Sequence, residues 1–308
     1  MQRYFGIISQ TNVVLARDEL ISLFKTAGAR SIRWEPNGLA VTAEVAEDPD
    51  NICRRAVFTK YFAKQLDEDD YIQLKGKTFS CIPYRGIKDH KFQDLVEKIK
   101  KVGQARVCLN DPDYVIIFHP TLNLVGIQLN LPKINWNNKT PSKRRFFHPS
   151  CLDPKYSRCM VNLACAYTGE TLLDPFCGCG GIMIEAKENG LNTIGIDIQE
   201  RMCKGAKLNG LSDLICANAF DIPVELSRVQ AIVTDIPYGQ STHISDGWSP
   251  KRILKELILL AERKCKKIVI MCRLNELEGL SDITKHWRIY RIRQHKSLTR
   301  CIICKTDV

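Results

Sequence analysis

Leu172-Leu-Asp-Pro-Phe-Cys-Gly-Cys-Gly-Gly181 is the stretch whose reading decides the fold. Its apolar start reads as a buried strand, and its glycine-rich end turns into a helix. Gly178, Gly180 and Gly181 carry no Cβ, so the backbone there can bend tightly and approach a ligand. Two phosphate-binding loops are excluded by spacing. A nicotinamide-type GxGxxG needs glycine where Met183 stands, and no GK[ST] follows. Outward from this junction the chain alternates long apolar strands with helix-length segments. Thr193–Ile198, Leu214–Ala219, Ala231–Ile236, Lys267–Cys272 and the run Cys301–Cys304 all read as buried strands. That alternation predicts a doubly wound α/β sheet.

The strand ends carry the chemistry. Asp197 follows the second strand, where a carboxylate can accept from both hydroxyls of a ribose. Asn218-Ala219 closes the third, and the Asn218 amide oxygen can accept from an amino group. An acidic strand end followed by Pro-Phe-x-Gly-x-Gly-Gly resembles the first motif of the Rossmann-like S-adenosylmethionine-dependent methyltransferases. The resemblance implies that Asp174, Phe176, Cys177, Gly178 and Gly180 lie against the cofactor, with Asp197, Ile198, Asn218 and Ala219 on its nucleoside. Where relatives carry an acid, this chain has Asn218.

The fourth strand ends in Asp235-Ile-Pro-Tyr-Gly239, which resembles the (N/D)PPY motif of methyltransferases acting on amino nitrogens. An amino group on a base gives its lone pair to the ring and is a poor nucleophile. Asp235 can accept one N–H and the residue 236 carbonyl the other, which turns the lone pair outward. Asp235 thereby also borders the cofactor. Tyr238 can stack on the base, and Pro237 stiffens the turn. Ile236 stands where relatives have proline, but a main-chain acceptor does not depend on that side chain. Gln240–Trp248 reads as a cover over the site, with His243 a loop residue.

Forty-five Lys and Arg against thirty-four Asp and Glu give a net charge of +11. The excess is localised. Residues 71–150 hold fourteen basic and five acidic side chains (+9), and residues 285–308 hold seven and one (+6). A concentrated basic surface of this kind suits a polyanion. No apolar run approaches the ~18 residues of a membrane span. No signal peptide is read at the start, and a cytoplasmic protein is expected. Fourteen cysteines lie scattered, many in apolar runs, and read as small buried hydrophobes. The one CxxC, Cys301 and Cys304, lacks a second ligand pair, so no metal site is expected.

Upstream, residues 1–70 read as strand, helix, strand, strand, helix. Asn37-Gly38 turns one strand into Leu39–Val45, and a second helix is expected to carry Ile52, Ala56, Phe58, Tyr61 and Phe62. Residues 71–131 form another small α/β unit, with a helix over Lys91–Lys101 between strands. Residues 132–145 read as a linker, rich in Asn, Pro and Lys.

These parts together resemble the THUMP-domain tRNA guanosine-10 N2-methyltransferase family of archaea and eukaryotes. Phe146-Phe-His148-Pro149, Asp153-Pro-Lys155 and Arg158–Ala164 resemble its element that packs over the cofactor, and Cys108–Asp113 resembles the THUMP pattern. The resemblance implies a ferredoxin-like domain (1–70), a THUMP RNA-binding domain (71–131), a linker (132–145) and a catalytic domain (146–308). It also implies tRNA methylation, with S-adenosyl-L-methionine converted to S-adenosyl-L-homocysteine. Lys133, Lys139, Lys143, Arg144 and Arg145 are candidates for phosphate contact. Some relatives work with a small zinc-binding activator protein as a heterodimer, and such a partner is expected here. Methylation of another tRNA or ribosomal RNA guanosine, of DNA adenine, or RNA binding with a weakened site stay open as alternatives.

Overall fold

The computed structural model describes residues 1–46, 49, 53–129, 134–221, 226–238, 248–265, 267–295 and 298–306. The chain divides into two compact units, Met1–Lys133 and Ile134–Val308.

The first unit is organised around one eight-stranded sheet. In chain order its strands are β1 (Gln2–Ile8), β2 (Arg30–Glu35), β3 (Ala40–Val45), β4 (Thr59–Gln65), β5 (Thr78–Pro83), β6 (Arg106–Val107), β7 (Tyr114–His119) and β8 (Leu124–Gln128). They lie in the order β2-β3-β1-β4-β8-β7-β5-β6. Helix α1 (Val13–Thr26) starts at Asn12, whose side chain accepts from the Leu15 N–H. It buries Leu20, Leu23 and Phe24 against Val41 and Phe62. Helix α2 (His90–Val102) starts at Asp89, which caps Phe92, and packs Leu95 and Ile99 onto Phe79 and Phe118. Strands from either side of residue 70 share this sheet, and a 3-10 turn (Glu68–Leu74) spans that position.

One element departs from the expected pattern. Tyr61 and Phe62 lie in strand β4, not in a second helix. The cause is tertiary. The buried carboxylate of Glu19 accepts from the Val57 and Phe58 N–H groups at 3.1 and 2.9 Å, taking donors a helix would need. The chain then pairs antiparallel with β1 and β8 on its two sides. Pairing on both edges overrides a weak helical periodicity.

The second unit holds β9 (Thr171–Asp174), β10 (Asn192–Asp197), β11 (Leu214–Cys216), β12 (Ala231–Asp235), β13 (Lys267–Arg273), β14 (Arg288–His295) and β15 (Leu298–Lys305). Their order is β11-β10-β9-β12-β13-β15-β14. The first five are mutually parallel, and β15 and β14 close the sheet antiparallel. Strand β14 was not anticipated; its alternating Arg and apolar residues suit an edge with one wet face. The helices are α3 (Pro154–Leu163), α4 (Gly181–Glu188), α5 (Glu200–Leu208) and α6 (Pro250–Lys264). The apolar first part of β12 buries Ala231, Ile232 and Val233 at 1% exposure or less, as a sheet covered on both faces requires. Ile232 and Val233 each contribute roughly 1.5–3 kcal/mol and the Ala231 methyl about 0.8 kcal/mol. Residues 134–145 belong to this unit and include short 3-10 turns at Trp136–Asn138 and Pro141–Lys143. No described helix is long and apolar enough to cross a membrane.

Candidate active site

The order in which strands are added reverses between β9 and β12, although the two run parallel. Strands β10 and β11 are added on one side of β9, and β12 and β13 on the other. A crevice opens at the carboxyl ends of strands at such a switch point. Here it brings Asp174, Asp197 and Asp235 into one cleft, together with Phe176, Cys177 and Gly178 and with Asn218, Ala219 and Phe220. Those three aspartates are the acidic side chains lining it among the described residues. His148, Ile198, Ile236, Pro237 and Tyr238 also line the cleft, whereas Pro149 and Gly180 do not. Gly180 works behind it as the left-handed cap of α4, at φ 84°.

Two of the carboxylates are held by backbone. Asp197 accepts from the Gly178 N–H at 2.9 Å and from the Gln199 N–H at 2.8 Å, one on each oxygen. Gly178 reaches this position at φ 52°, and a Cβ there would meet nothing within 4 Å. The loop is therefore drawn to Asp197 while its outer face stays open. Asp174 is 1% exposed, and its Oδ1 accepts from the Thr234 hydroxyl at 2.7 Å and the Phe176 N–H at 3.2 Å. Burial pushes the Asp174 carboxyl up to about 7, against the pull of those two bonds. Burial also raises Asp197, opposed by its two backbone donors.

Asp235 is held differently. The Arg300 Nη2, from β15, donates to both of its oxygens at 2.5 Å and to the Tyr238 hydroxyl at 2.5 Å. The Tyr238 hydroxyl in turn donates to Asp235 Oδ1. Guanidinium groups of Arg273 and Arg300 each lie 4.8 Å from the Tyr238 ring centroid. Tyr238, expected as a stacking platform for a base, is thus engaged by two cations and the carboxylate. A different aromatic surface lines the same cleft. Phe220 and Trp248 stack at 4.6 Å with planes 10° apart, and Phe176 meets Phe220 at 6.0 Å. Burial raises the Asp235 carboxyl, and the adjacent Arg300 opposes that rise.

Ile236, where relatives carry proline, is 1% exposed and belongs to the core with Leu254, Leu257 and Ile258. Its burial contributes roughly 1.5–3 kcal/mol, offsetting the stiffness proline would give the turn. Asn218 accepts from the Phe220 N–H and donates to Asp221. The His148 ring lies 2.7 Å from the Ser150 hydroxyl. The sulfurs of Cys151 and Cys179 meet in the cleft wall, and Cys216 is exposed, which corrects the reading of the cysteines as small buried hydrophobes at Cys216. Of the expected cover, Gln240–Trp248, residues 240–247 with His243 lie outside the described residues, as does Gly239, and Trp248 lines the cleft.

The candidate phosphate contacts separate into distinct environments. Lys143 and Arg145 are exposed. Lys139 is bound to Glu185 at 3.0 Å and to Glu188, beside Arg158, which pairs with the same two acids. Arg144 is half-buried, with Nη1 3.2 Å from where a Cβ on Gly181 would stand. Lys133 lies outside the described residues.

Sequence reasoning missed Arg300 and Phe220, and took Trp248 only as the end of a covering loop, not as a ring stacked on Phe220. Arg300 was visible only as part of a basic segment, since nothing local links it to a carboxylate 65 residues away.

The chain matches two family models: RMKL-like methyltransferase domain over residues 141–278, and DNA methylase over residues 34–208. It is 38% identical over 183 residues to a tRNA (guanine(10)-N2)-dimethyltransferase of Methanothermobacter thermautotrophicus, covering 56% of this chain and 54% of that one. With the same-named protein of Methanocaldococcus jannaschii it shares 37% over 206 residues, 59% of each chain. A probable tRNA (guanine(10)-N2)-dimethyltransferase of Methanothermococcus thermolithotrophicus is 36% identical over 166 residues, 48% of this chain and 95% of that one. The match thus spans a little over half the length of the first two relatives.

Proposed function

We propose that this chain, which belongs to the tRNA (guanine(10)-N2)-dimethyltransferase family, transfers methyl groups from S-adenosylmethionine to the exocyclic amine of a tRNA guanosine, at position 10. The observation that carries the reading is the set of three carboxylates on the adjacent strand ends β10, β9 and β12, opening into one cleft.

The cleft's donor set fits the cofactor. Asp197 offers acceptors for ribose hydroxyls, the Gly178 turn leaves its outer face open, and Phe176, Ile198 and Phe220 provide apolar wall. S-adenosylmethionine supplies, when bound, a methyl group made electrophilic by its positive sulfur. The protein's own work is on the amine. Asp235 accepts one N–H and the residue 236 carbonyl the other, so the lone pair leaves conjugation with the ring. As the new N–C bond forms, Asp235 takes the proton the nitrogen must lose. A base turned out of its helix, a step costing about a few kcal/mol, would meet the cleft wall at Phe220 and Trp248, which stack on each other with the Arg252 guanidinium 4.5 Å over the Trp248 ring.

Residues 71–131, with nine basic and five acidic side chains (+4), support a THUMP assignment that would hold the tRNA end. The five basic residues from 133 to 145 carry the rest of the excess, with Lys143 and Arg145 to contact phosphate. We place the reaction in the cytoplasm and include a small zinc-binding activator as a heterodimer partner. Full activity of the chain alone would remove that partner.

Labelled cofactor and tRNA transcripts test the reading. Label should enter a transcript with guanosine at position 10 and vanish when only that base is replaced. Unchanged labelling overturns the position, and no labelling of any tRNA, with or without activator, overturns the activity. Labelling of duplex DNA in preference to tRNA would favour the DNA methylase match instead.

A further inference from the structure

The carboxylate assigned to the amine has both oxygens already occupied. Arg300 Nη2 touches Asp235 Oδ1, Asp235 Oδ2 and the Tyr238 hydroxyl, and the side chains of Arg300 and Asp235 are 12% and 15% exposed. All three contacts come from a single nitrogen, and the Arg300 Nε is buried without a hydrogen-bond partner. The guanidinium is therefore not locked in the two-pronged geometry that makes arginine–carboxylate pairs rigid. It is a cation held at one tip.

We propose, resting on the function above, that Arg300 is a positioning residue: a displaceable clamp that keeps Asp235 charged and aimed into the cleft until the target amine takes over one of its oxygens. The surroundings explain the need. Asp235 is buried, and its charge is felt by two further acids, Asp174 on β9 and Glu276 just after β13, whose carboxyls it helps to raise. Arg273 of β13 and Tyr238 stand beside Arg300, while Cys272 of β13 and Cys301 of β15, one residue along each strand, belong to the buried core. Arg273 lies over the Tyr238 ring, so Arg300 is the cation in contact with the carboxylate itself. A buried carboxylate among other acids takes up a proton unless a cation opposes it, and a protonated Asp235 accepts nothing on that oxygen. Burial already raises Asp235, and Arg300 is the largest opposing influence. When the amine arrives, its N–H replaces one guanidinium contact and Nη2 keeps the Tyr238 hydroxyl. Displacement at one oxygen leaves the cation near enough to hold the charge.

Arg300→Met and Arg300→Lys test this under single-turnover conditions from pH 5.5 to 9. The methionine variant should lose about tenfold or more at pH 7 and recover toward alkaline pH, with its acid limb moved up by about one unit or more. Lysine can present three donors from one nitrogen, so it should restore the limb and much of the rate. A loss equal at every pH, or no rescue by lysine, overturns the clamp. Carbon-13 NMR of labelled aspartate carboxyls, assigned with Asp235→Asn, gives a readout without turnover. Asp235 should titrate about one unit higher in Arg300→Met than in the parent. If it does while the parent methylates no tRNA, the clamp stands and the functional reading falls. Transfer by the parent with no NMR shift in the variant has the opposite meaning.

Discussion

The two halves of the cleft hold their carboxylates by different means. On the β9–β10 side, Asp174 and Asp197 accept from the backbone N–H groups of Phe176, Gly178 and Gln199, with the Thr234 hydroxyl added at Asp174. On the β12 side, Asp235 is gripped by side chains of Arg300 and Tyr238. Backbone donors move only if the loop moves, which suits a surface that must match one small ligand every time. Side-chain donors turn aside at small cost, which suits a group that must exchange partners during each reaction. A fixed half and an exchangeable half share one crevice.

The largest way to break this comparison is Asp235→Ala. Transfer should fall by about 10²–10⁴-fold while tRNA binding stays nearly intact. Residual turnover above about a few per cent would show that the β12 side does not act on the amine. Asp197→Ala should act on the other half alone. Losing a charged acceptor costs about 1.5–3 kcal/mol, so calorimetry should report cofactor affinity weakened by about 10–150-fold. The single-turnover rate at saturating cofactor should change far less; an equal loss in both would erase the division.

The smallest effect concerns Asp174, held at about 7 by burial. Its folded carboxyl binds a proton more tightly than the unfolded one. That contribution is full below pH 4 and is lost as pH rises through about 7. Asp174→Asn keeps an oxygen for Thr234 and Phe176 and removes the buried charge. The variant's melting temperature relative to the parent should therefore climb by about a few degrees from pH 5 to pH 8, with roughly 4 kcal/mol as the upper bound. A difference independent of pH would mean that Asp174 titrates normally.

This division also explains what was legible beforehand. The β9 loop, Asp197 and the Asp235-Ile-Pro-Tyr turn announce themselves because each is a short run of neighbouring residues at a strand end. Arg300 does not, because it reaches Asp235 only through the pairing of β15 with β13, where Arg273 and Arg300 lie in register. The aromatic face has the same character: Phe220 and Trp248 come from separate loops and meet only in the folded cleft. Strand β4 was read as a helix for a related reason, since Glu19, 38 residues earlier, decides its opening. Ile236 was a visible departure whose cause was hidden, because nothing local marks a side chain that lands in the core.

The antiparallel placement of β15 has a consequence during synthesis. Everything from Asp174 through Tyr238 leaves the ribosome well before Arg300, and domains tend to fold as they emerge. A nascent chain at that stage holds the nucleoside-facing residues, yet its reactive aspartate has no cation beside it. The β12 half of the cleft is therefore completed last in translation, by the pairing of a single strand with β13.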